Sequence, residues 1–331
     1  MPQREYIKII FCDDRAELVK QALPEPAPGQ VLIKTCCSLI SPGTERAALT
    51  RVWDDAGFRA SPGYALAGEV IEVGQGVNAF HVGERIITLR NHASLMLAST
   101  DPWDTLKIPD KVSYEDATFL PLASVALHAL RRAQLTLGET VVILGAGIIG
   151  LTLVQLARMD GARQIIILDL AKNRLELAQG YGADLAINPS TDDAVALIME
   201  ATGGKGASLT IEATGNVSVL PLAFQFAAHS GRIVCAGLWE QDQPIPISLE
   251  FLARELSLIA AHQPHCPVTE NIYWPWTQQD NRKLLLDLMA SGKLRVSEML
   301  THRFPAQEAP QVYERIKLGD RSMLGVLLEW E

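Results

Sequence analysis

The run Thr140-Val-Val-Ile-Leu-Gly-Ala-Gly-Ile-Ile-Gly150 restricts the folds open to this chain more than any other stretch. Four apolar, mostly β-branched residues lead into Gly145, Gly147 and Gly150. An apolar segment, Leu151 to Met159, follows, and a second apolar run, Ile165 to Leu168, ends on Asp169. The pattern predicts strand, tight turn, helix and second strand, closed by an acid. Gly150 and Asp169 lie nineteen positions apart, close to the roughly 20 of a dinucleotide fingerprint. Gly145 lets the chain turn sharply, Gly147 leaves room for a pyrophosphate, and Gly150 lets the helix pack close to the sheet. The free N–H groups of Ile148 and Ile149, at the positive end of the helix dipole, suit an anion. Asp169, with Leu170 beside it, is expected to accept from both adenosine ribose hydroxyls. A 2′-phosphate would meet a carboxylate there, so the expected cofactor is NAD rather than NADP. The alternative is a glycine turn that holds no nucleotide.

The chain has 331 residues, room for two domains. Its composition, 48% apolar and 20% charged, is that of a soluble globular protein. No apolar run approaches the 18 or so residues of a membrane span, and the first residues lack a signal segment. A net charge of −9 without a basic cluster argues against nucleic acid or an anionic membrane as partner. The five cysteines, Cys12, Cys36, Cys37, Cys235 and Cys266, make no CxxC pair, which predicts reduced thiols and a cytoplasmic location.

Up to about residue 110 the chain reads as a β-rich, barrel-like module. Short strands such as 31–35, 67–73 and 85–89 are separated by turns that include Ser41-Pro-Gly43 and Ser61-Pro-Gly63. Tyr114 to Ala133 is helical in pattern, with Ser113 as N-cap. Strands at 141–144, 165–168, 185–187, 208–212, 232–236 and 256–260 then alternate with helices at 148–159, 171–180, 191–201 and 217–228. That alternation predicts an α/β fold, a doubly wound parallel sheet with helices on both faces. A helix at 280–291, one near 307–317 and a strand from 324 to 330 complete the chain. The nucleotide domain, 119–291, is thus expected to be inserted in a β domain made of 1–118 and 292–331.

This order resembles the medium-chain dehydrogenase/reductase superfamily, the zinc alcohol dehydrogenase-like fold, over nearly the whole chain. The resemblance rests on Pro62-Gly-Tyr-Ala-Leu-Ala-Gly-Glu-Val-Ile-Glu-Val-Gly74, Val82-Gly-Glu-Arg85, Leu120-Pro-Leu-Ala-Ser-Val-Ala-Leu-His-Ala129 and Gly145 to Gly150. Further matches are Ile211-Glu-Ala-Thr-Gly215, Gly231-Arg-Ile-Val-Cys-Ala-Gly237 and Ala290-Ser-Gly-Lys-Leu294. It implies a Rossmann sheet inserted in a GroES-like barrel domain, a small alcohol or ketone as substrate, and a homodimer or homotetramer. It also implies a contact of Ser124 with the nicotinamide ring. Thr214 and Gly215 end one strand and Gly237 and Leu238 another at the carboxyl edge of the sheet, where cofactor contacts are expected, and Arg174 either flanks the adenine or solvates the helix start.

Zinc members of that family hold the metal with a Cys, a His and a further Cys, Asp or Glu. The corresponding positions here are Ser41, Tyr64 and Leu120, and the four-cysteine structural lobe is missing. No metal is therefore expected. His262-Gln-Pro-His265-Cys266 is the one dense group of ligand types, and a polar loop is the simpler reading of it. These variants resemble a zinc-ligand-lacking branch that includes bacteriochlorophyllide hydroxyethyl dehydrogenases and sugar or cyclitol dehydrogenase-like relatives.

Without zinc, a side chain must handle the proton and steady the developing alkoxide. Tyr64 either does so or simply fills the vacated pocket. Glu45 is a base, an orienting group, or a structural acid, and Thr44 is a hydroxyl relay. His128 and His92 rank lower. The expected activity is zinc-independent, NAD-dependent interconversion of a secondary alcohol and a ketone. An NAD(P)H-dependent quinone or enone reductase and a non-catalytic NAD-binding protein remain as alternatives. The aromatic group Tyr273-Trp274-Pro275-Trp276 is either an interaction surface or a self-packed loop.

Overall fold

The computed structural model describes residues 4–239, 244–245, 247–272 and 274–330. In chain order it begins with β1 (Glu5–Cys12), β2 (Arg15–Ala22), β3 (Gln30–Ile40), α1 (Pro42–Leu49) and α2 (Ala56–Ala60). Next come β4 (Leu66–Val73), β5 (Arg85–Thr88), β6 (Leu95–Ser99), β7 (Thr105–Lys107), α3 (Tyr114–Ala117) and α4 (Leu120–Ala133). The alternating run is β8 (Thr140–Leu144), α5 (Ile148–Met159), β9 (Gln164–Leu168), α6 (Lys172–Gly180), β10 (Leu185–Ile187) and α7 (Ala194–Ala201). It continues through β11 (Ala207–Glu212), α8 (Leu220–Phe226), β12 (Ala227–Cys235), α9 (Leu249–Ala253) and β13 (Ser257–Ala260). The last elements are α10 (Gln278–Ala290), β14 (Leu300–Pro305), α11 (Ala309–Lys317) and β15 (Gly325–Glu329).

The chain divides into two units, Leu122–Cys266 on the one hand and Met1–Pro121 with Pro267–Glu331 on the other. In the first, the described strands form a parallel sheet ordered β10-β9-β8-β11-β12-β13. Counted from β8 that is 3-2-1-4-5-6, the doubly wound dinucleotide-binding order. Its strands are near-continuous apolar runs because helices cover both faces. Val142, Leu144, Ile166 and Ile233 pack with Ile198, Phe224 and Phe226 in one core.

The other unit is built from both ends of the chain. Its main sheet runs β14-β15-β3-β4-β5-β7, with β6 on the free length of β3, and β1 with β2 forms a hairpin. All its pairs are antiparallel except β14 with β15. The α/β class, the parallel sheet and the separate β module expected from the sequence are thus found. No helix among the described residues is long and apolar enough to cross a membrane.

Local expectations differ at four places, each for a physical reason. Ser41-Pro-Gly43 is the start of α1 rather than a turn: Ser41 is the N-cap and Pro42 occupies the first turn, where its missing N–H and fixed φ are harmless. The segment 114–133 is two helices, because the ring of Pro121 would strike the carbonyl of Ala117 in a continuous helix. β12 begins at Ala227, not 232, since α8 stops at Phe226. Finally, the β unit resumes at Pro267 rather than 292. Helix α10 belongs to it because the buried Arg282 guanidinium donates to the Trp103 carbonyl.

Candidate active site

The glycine turn leaves β8 at Gly145, whose φ of +98° is left-handed and open to glycine at little cost. At Gly150 a Cβ would lie 1.8 Å from the Gly145 carbonyl oxygen, so no larger residue fits. At Gly147 a Cβ would meet nothing within 4 Å. The sequence therefore leaves bare backbone facing open space where α5 begins. Ile148 and Ile149 start that helix. Asp169 closes the turn from the end of β9: Oδ2 accepts from the Ala146 N–H at 2.7 Å and Oδ1 from the Ala171 N–H at 2.8 Å. Leu170 beside it is exposed, and Arg174 is half-buried on α6.

Thr214 and Gly215 follow β11, and Gly237 and Leu238 follow β12, so all four sit at the carboxyl edge of the parallel sheet. The residue that organises them escaped the sequence reading. Glu212, the last residue of β11, is fully buried. Its Oε1 accepts from the Thr214 N–H (2.6 Å), the Thr214 hydroxyl (2.5 Å) and the Gly215 N–H (3.0 Å), and its Oε2 from the Trp239 indole at 2.8 Å. The available signal was an acid ending an apolar strand, since a buried charge has to be satisfied. Burial, with the Glu212 charge, pushes the neighbouring Cys235 thiol up to about 12.

In the β unit, Ser41, Thr44 and Tyr64 come together as a ring of hydroxyls. Tyr64 donates to Ser41 Oγ at 2.6 Å, Ser41 donates to Thr44 Oγ1 at 3.4 Å, and Thr44 lies 3.4 Å from the Tyr64 oxygen. Tyr64 and Thr44 are half-buried. Burial raises the Tyr64 phenol above its ordinary value; the Ser41 and Thr44 hydrogen bonds pull it down, and the charge of Glu45 raises it further. The sequence reading required neighbours to lower this group; burial prevails instead, so Tyr64 is a protonated donor at neutral pH.

Glu45 does not touch Tyr64. It has no exposed surface; its Oε1 accepts from the Ser41 N–H at 2.7 Å, and its Oε2 from the Tyr313 hydroxyl and from His92 Nε2 at 3.1 Å. His92 Nδ1 meets Ser38 Oγ at 2.8 Å, and Ser38 Oγ also accepts from the Trp330 indole at 2.9 Å. An indole only donates and a carboxylate only accepts, so Trp330 donates to Ser38, the single ring proton of a neutral His92 sits on Nε2 facing Glu45, and Nδ1 is left to accept the Ser38 proton. Every donor in this sealed chain ends on the carboxylate. Glu45 thus has no exposed surface through which to meet a substrate, and its Oε1 holds the Ser41 N–H. Ser38, Tyr313 and Trp330 gave no sequence signal for this role.

Ser124 and Leu120 are both buried on α4. His128, also buried, is pushed down to about 4 by burial and by nearby Arg132, with His262, Arg131 and His265 adding to the effect. His262 and His265 are exposed and share a 3.1 Å contact between their Nδ1 atoms. Among the described residues no three His, Cys, Asp or Glu side chains are placed to hold a metal ion. At the zinc positions of the family, Tyr64 donates to Ser41, Ser41 donates to Thr44 and Leu120 is apolar, a donor set that does not fit zinc. Tyr273 lies outside the described residues, and Trp276 is exposed.

Residues 149–275 match the family model described as zinc-binding dehydrogenase. Erythritol/L-threitol dehydrogenase of Mycolicibacterium smegmatis is 33% identical over 218 residues, covering 66% of this chain and 56% of that protein, so the match spans little more than half of its length. Sorbitol dehydrogenase of Gallus gallus is 27% identical over 339 residues, covering 92% of this chain and 90% of that protein. A putative zinc-binding dehydrogenase of Sinorhizobium meliloti, solved bound to NADP, superposes with a TM-score of 0.84 at 23% identity over 99% of this chain and 100% of that one.

Proposed function

We propose that the chain is a member of the medium-chain dehydrogenase/reductase superfamily and that it interconverts a secondary alcohol and a ketone with NAD, without zinc. The observation that carries the reading is the pairing of an intact glycine turn closed by Asp169 with a Tyr64–Ser41 hydroxyl contact at the family's metal position. Gly147 and the N–H groups of Ile148 and Ile149 would hold the pyrophosphate. Asp169 keeps lone pairs for ribose hydroxyls, which favours NAD. The exposed Leu170 and Leu238 would flank the two ends of the dinucleotide, with Ser124, Arg174, Thr214, Gly215 and Gly237 completing its contacts. A bound nicotinamide supplies or accepts the hydride.

The chain's own residues then have one task, a proton at the substrate oxygen. The raised phenol of Tyr64 suits donation to a carbonyl oxygen. As its proton leaves, Thr44 turns its hydroxyl to the phenolate while Ser41 goes on donating to Thr44, so the charge is shared around the hydroxyl ring. The polyol relatives make small secondary alcohols with neighbouring hydroxyls the first substrates to try. The proposed setting is cytoplasmic.

The test compares NADH and NADPH on a panel of ketones, polyols and enones, with and without a chelator. NADH-dependent ketone reduction that survives chelation is expected. NADPH-dependent enone reduction would favour a C=C or quinone reductase, and cofactor binding without turnover on any substrate would leave a non-catalytic binding protein.

A further inference from the structure

We propose that Glu212 is the positioning residue for the nicotinamide half of the dinucleotide, an assignment that rests on the cofactor reading above. In a doubly wound sheet each half takes one mononucleotide, and the pyrophosphate crosses where the strand order reverses. Here that point lies between β8 and β11. Asp169, on β9, marks the adenosine half, so the ends of β11 and β12 fall to the other nucleotide.

Glu212 ties those two strand ends into one piece. Its carboxylate takes three donors from Thr214 and Gly215 after β11, and the Trp239 indole after β12. Its own backbone carbonyl accepts from the Ala236 N–H at 2.9 Å and the Gly237 N–H at 3.1 Å. The fit leaves no slack: a Cβ at Gly237 would lie 2.5 Å from Glu212 Oε2 and 2.5 Å from the Gly215 nitrogen. The Thr214 methyl group in turn abuts the glycine turn, 2.9 Å from a Cβ built at Gly145. One buried anion therefore sets the spacing of the loops after β11 and β12 and their contact with the pyrophosphate turn. Nothing in it reaches the adenosine half, where Asp169 has its own backbone partners.

Glu212→Gln keeps the shape but not the acceptors. Its NH2 group must face either the three donors on one side or the Trp239 N–H on the other, leaving donors unpaired. Trp239→Phe removes the single Oε2 donor and is the milder variant should the first fail to fold. Affinities for NADH and for AMP, which carries only the adenosine half, are measured by titration calorimetry on the full chain. Glu212→Gln is expected to weaken NADH about tenfold or more, and Trp239→Phe about threefold, while AMP binding stays within about twofold. Equal losses for both ligands would reduce Glu212 to a general structural role, and unchanged NADH affinity in both variants would remove the role altogether; either overturns the assignment. A parent protein that binds neither NADH nor AMP would sink the cofactor reading itself, and this assignment with it.

Discussion

At Tyr64 two effects compete, and their balance fixes what the residue can do. Burial and the Glu45 charge raise the phenol, while the Ser41 and Thr44 hydroxyls lower it, and burial is the largest of the four. The protonated form therefore persists beyond the ordinary value near 10. Ketone reduction should stay level from about pH 7 to 9, and alcohol oxidation should climb with pH over the same range as the phenolate becomes accessible. An oxidation rate that levels off near pH 7 would assign the proton to another group. Tyr64→Phe should cut kcat about a hundredfold or more and leave NADH affinity unchanged, because the residue lies in the β unit and the glycine turn in the other. Asp169 makes the complementary case. Its two oxygens already hold the Ala146 and Ala171 N–H groups, so Asp169→Ser loosens the turn and also removes the charge that a 2′-phosphate would oppose. The ratio of NADH to NADPH affinity should fall by about tenfold, and an unchanged ratio would mean that the acid never meets the ribose.

Within the element β8–turn–α5, the three glycines separate stability from binding. Gly150→Ala places a methyl 1.8 Å from the Gly145 carbonyl oxygen, so α5 must move off the sheet; we expect a loss of about 2 kcal/mol or more together with cofactor binding. Gly147→Ala meets no protein atom and should leave the melting temperature within about 1 °C while NADH affinity drops at least tenfold. A Gly147→Ala variant that binds NADH like the parent would show that no pyrophosphate approaches there. This element was legible in the sequence because its information is local: strand, turn and helix each announce themselves within a dozen residues, and α5 and β10 lie where the periodicity put them. Elements whose limits depend on a single steric rule were also readable in principle: the apolar pattern ran across Pro121, while the Ser-Pro-Gly signal at Pro42 was read as a turn although proline suits a first helical turn. Glu212 and Glu45 were harder. Their sequence contexts advertise only a buried acid, and the donors that satisfy Glu45 come from Ser41 at the N-cap of α1, the segment before β6, and α11. No spacing rule links such positions.

Across the molecule, the β unit depends on contacts between the two ends of the chain. The Tyr313 hydroxyl reaches Glu45 across 268 positions, and Trp330 reaches Ser38 across 292. These bonds close the sealed network behind Ser41, and Ile9, Phe11, Ile40 and Leu49 pack with Val312, Tyr313 and Leu328 around it. The nucleotide unit, by contrast, is drawn from one continuous stretch. It carries an exposed apolar ridge, with Ile247, Leu249 and Leu252 at 69%, 80% and 71% exposure, and among the described residues β13 is an edge strand of its sheet. Such a ridge and an edge strand together favour self-association through this unit, so we expect a homodimer or homotetramer by light scattering and a shift towards monomer in Leu249→Lys/Leu252→Lys. A monomeric parent would refute that expectation. Tyr313 supplies the test of the other unit. Its phenol is fully buried and raised well above 10, first by burial and then by the Glu45 charge. A group whose folded value exceeds its unfolded one contributes stability below the unfolded value and loses it as pH rises. The parent should therefore destabilise steeply above about pH 10, and Tyr313→Phe should flatten that alkaline limb. At pH 7 the same variant should cost about 1.5–3 kcal/mol, because the buried carboxylate loses one of its three donors. If urea titrations at pH 7 and pH 10.5 show the same difference between the two proteins, the Tyr313–Glu45 contact does not hold the ends of the chain together in the way its burial implies.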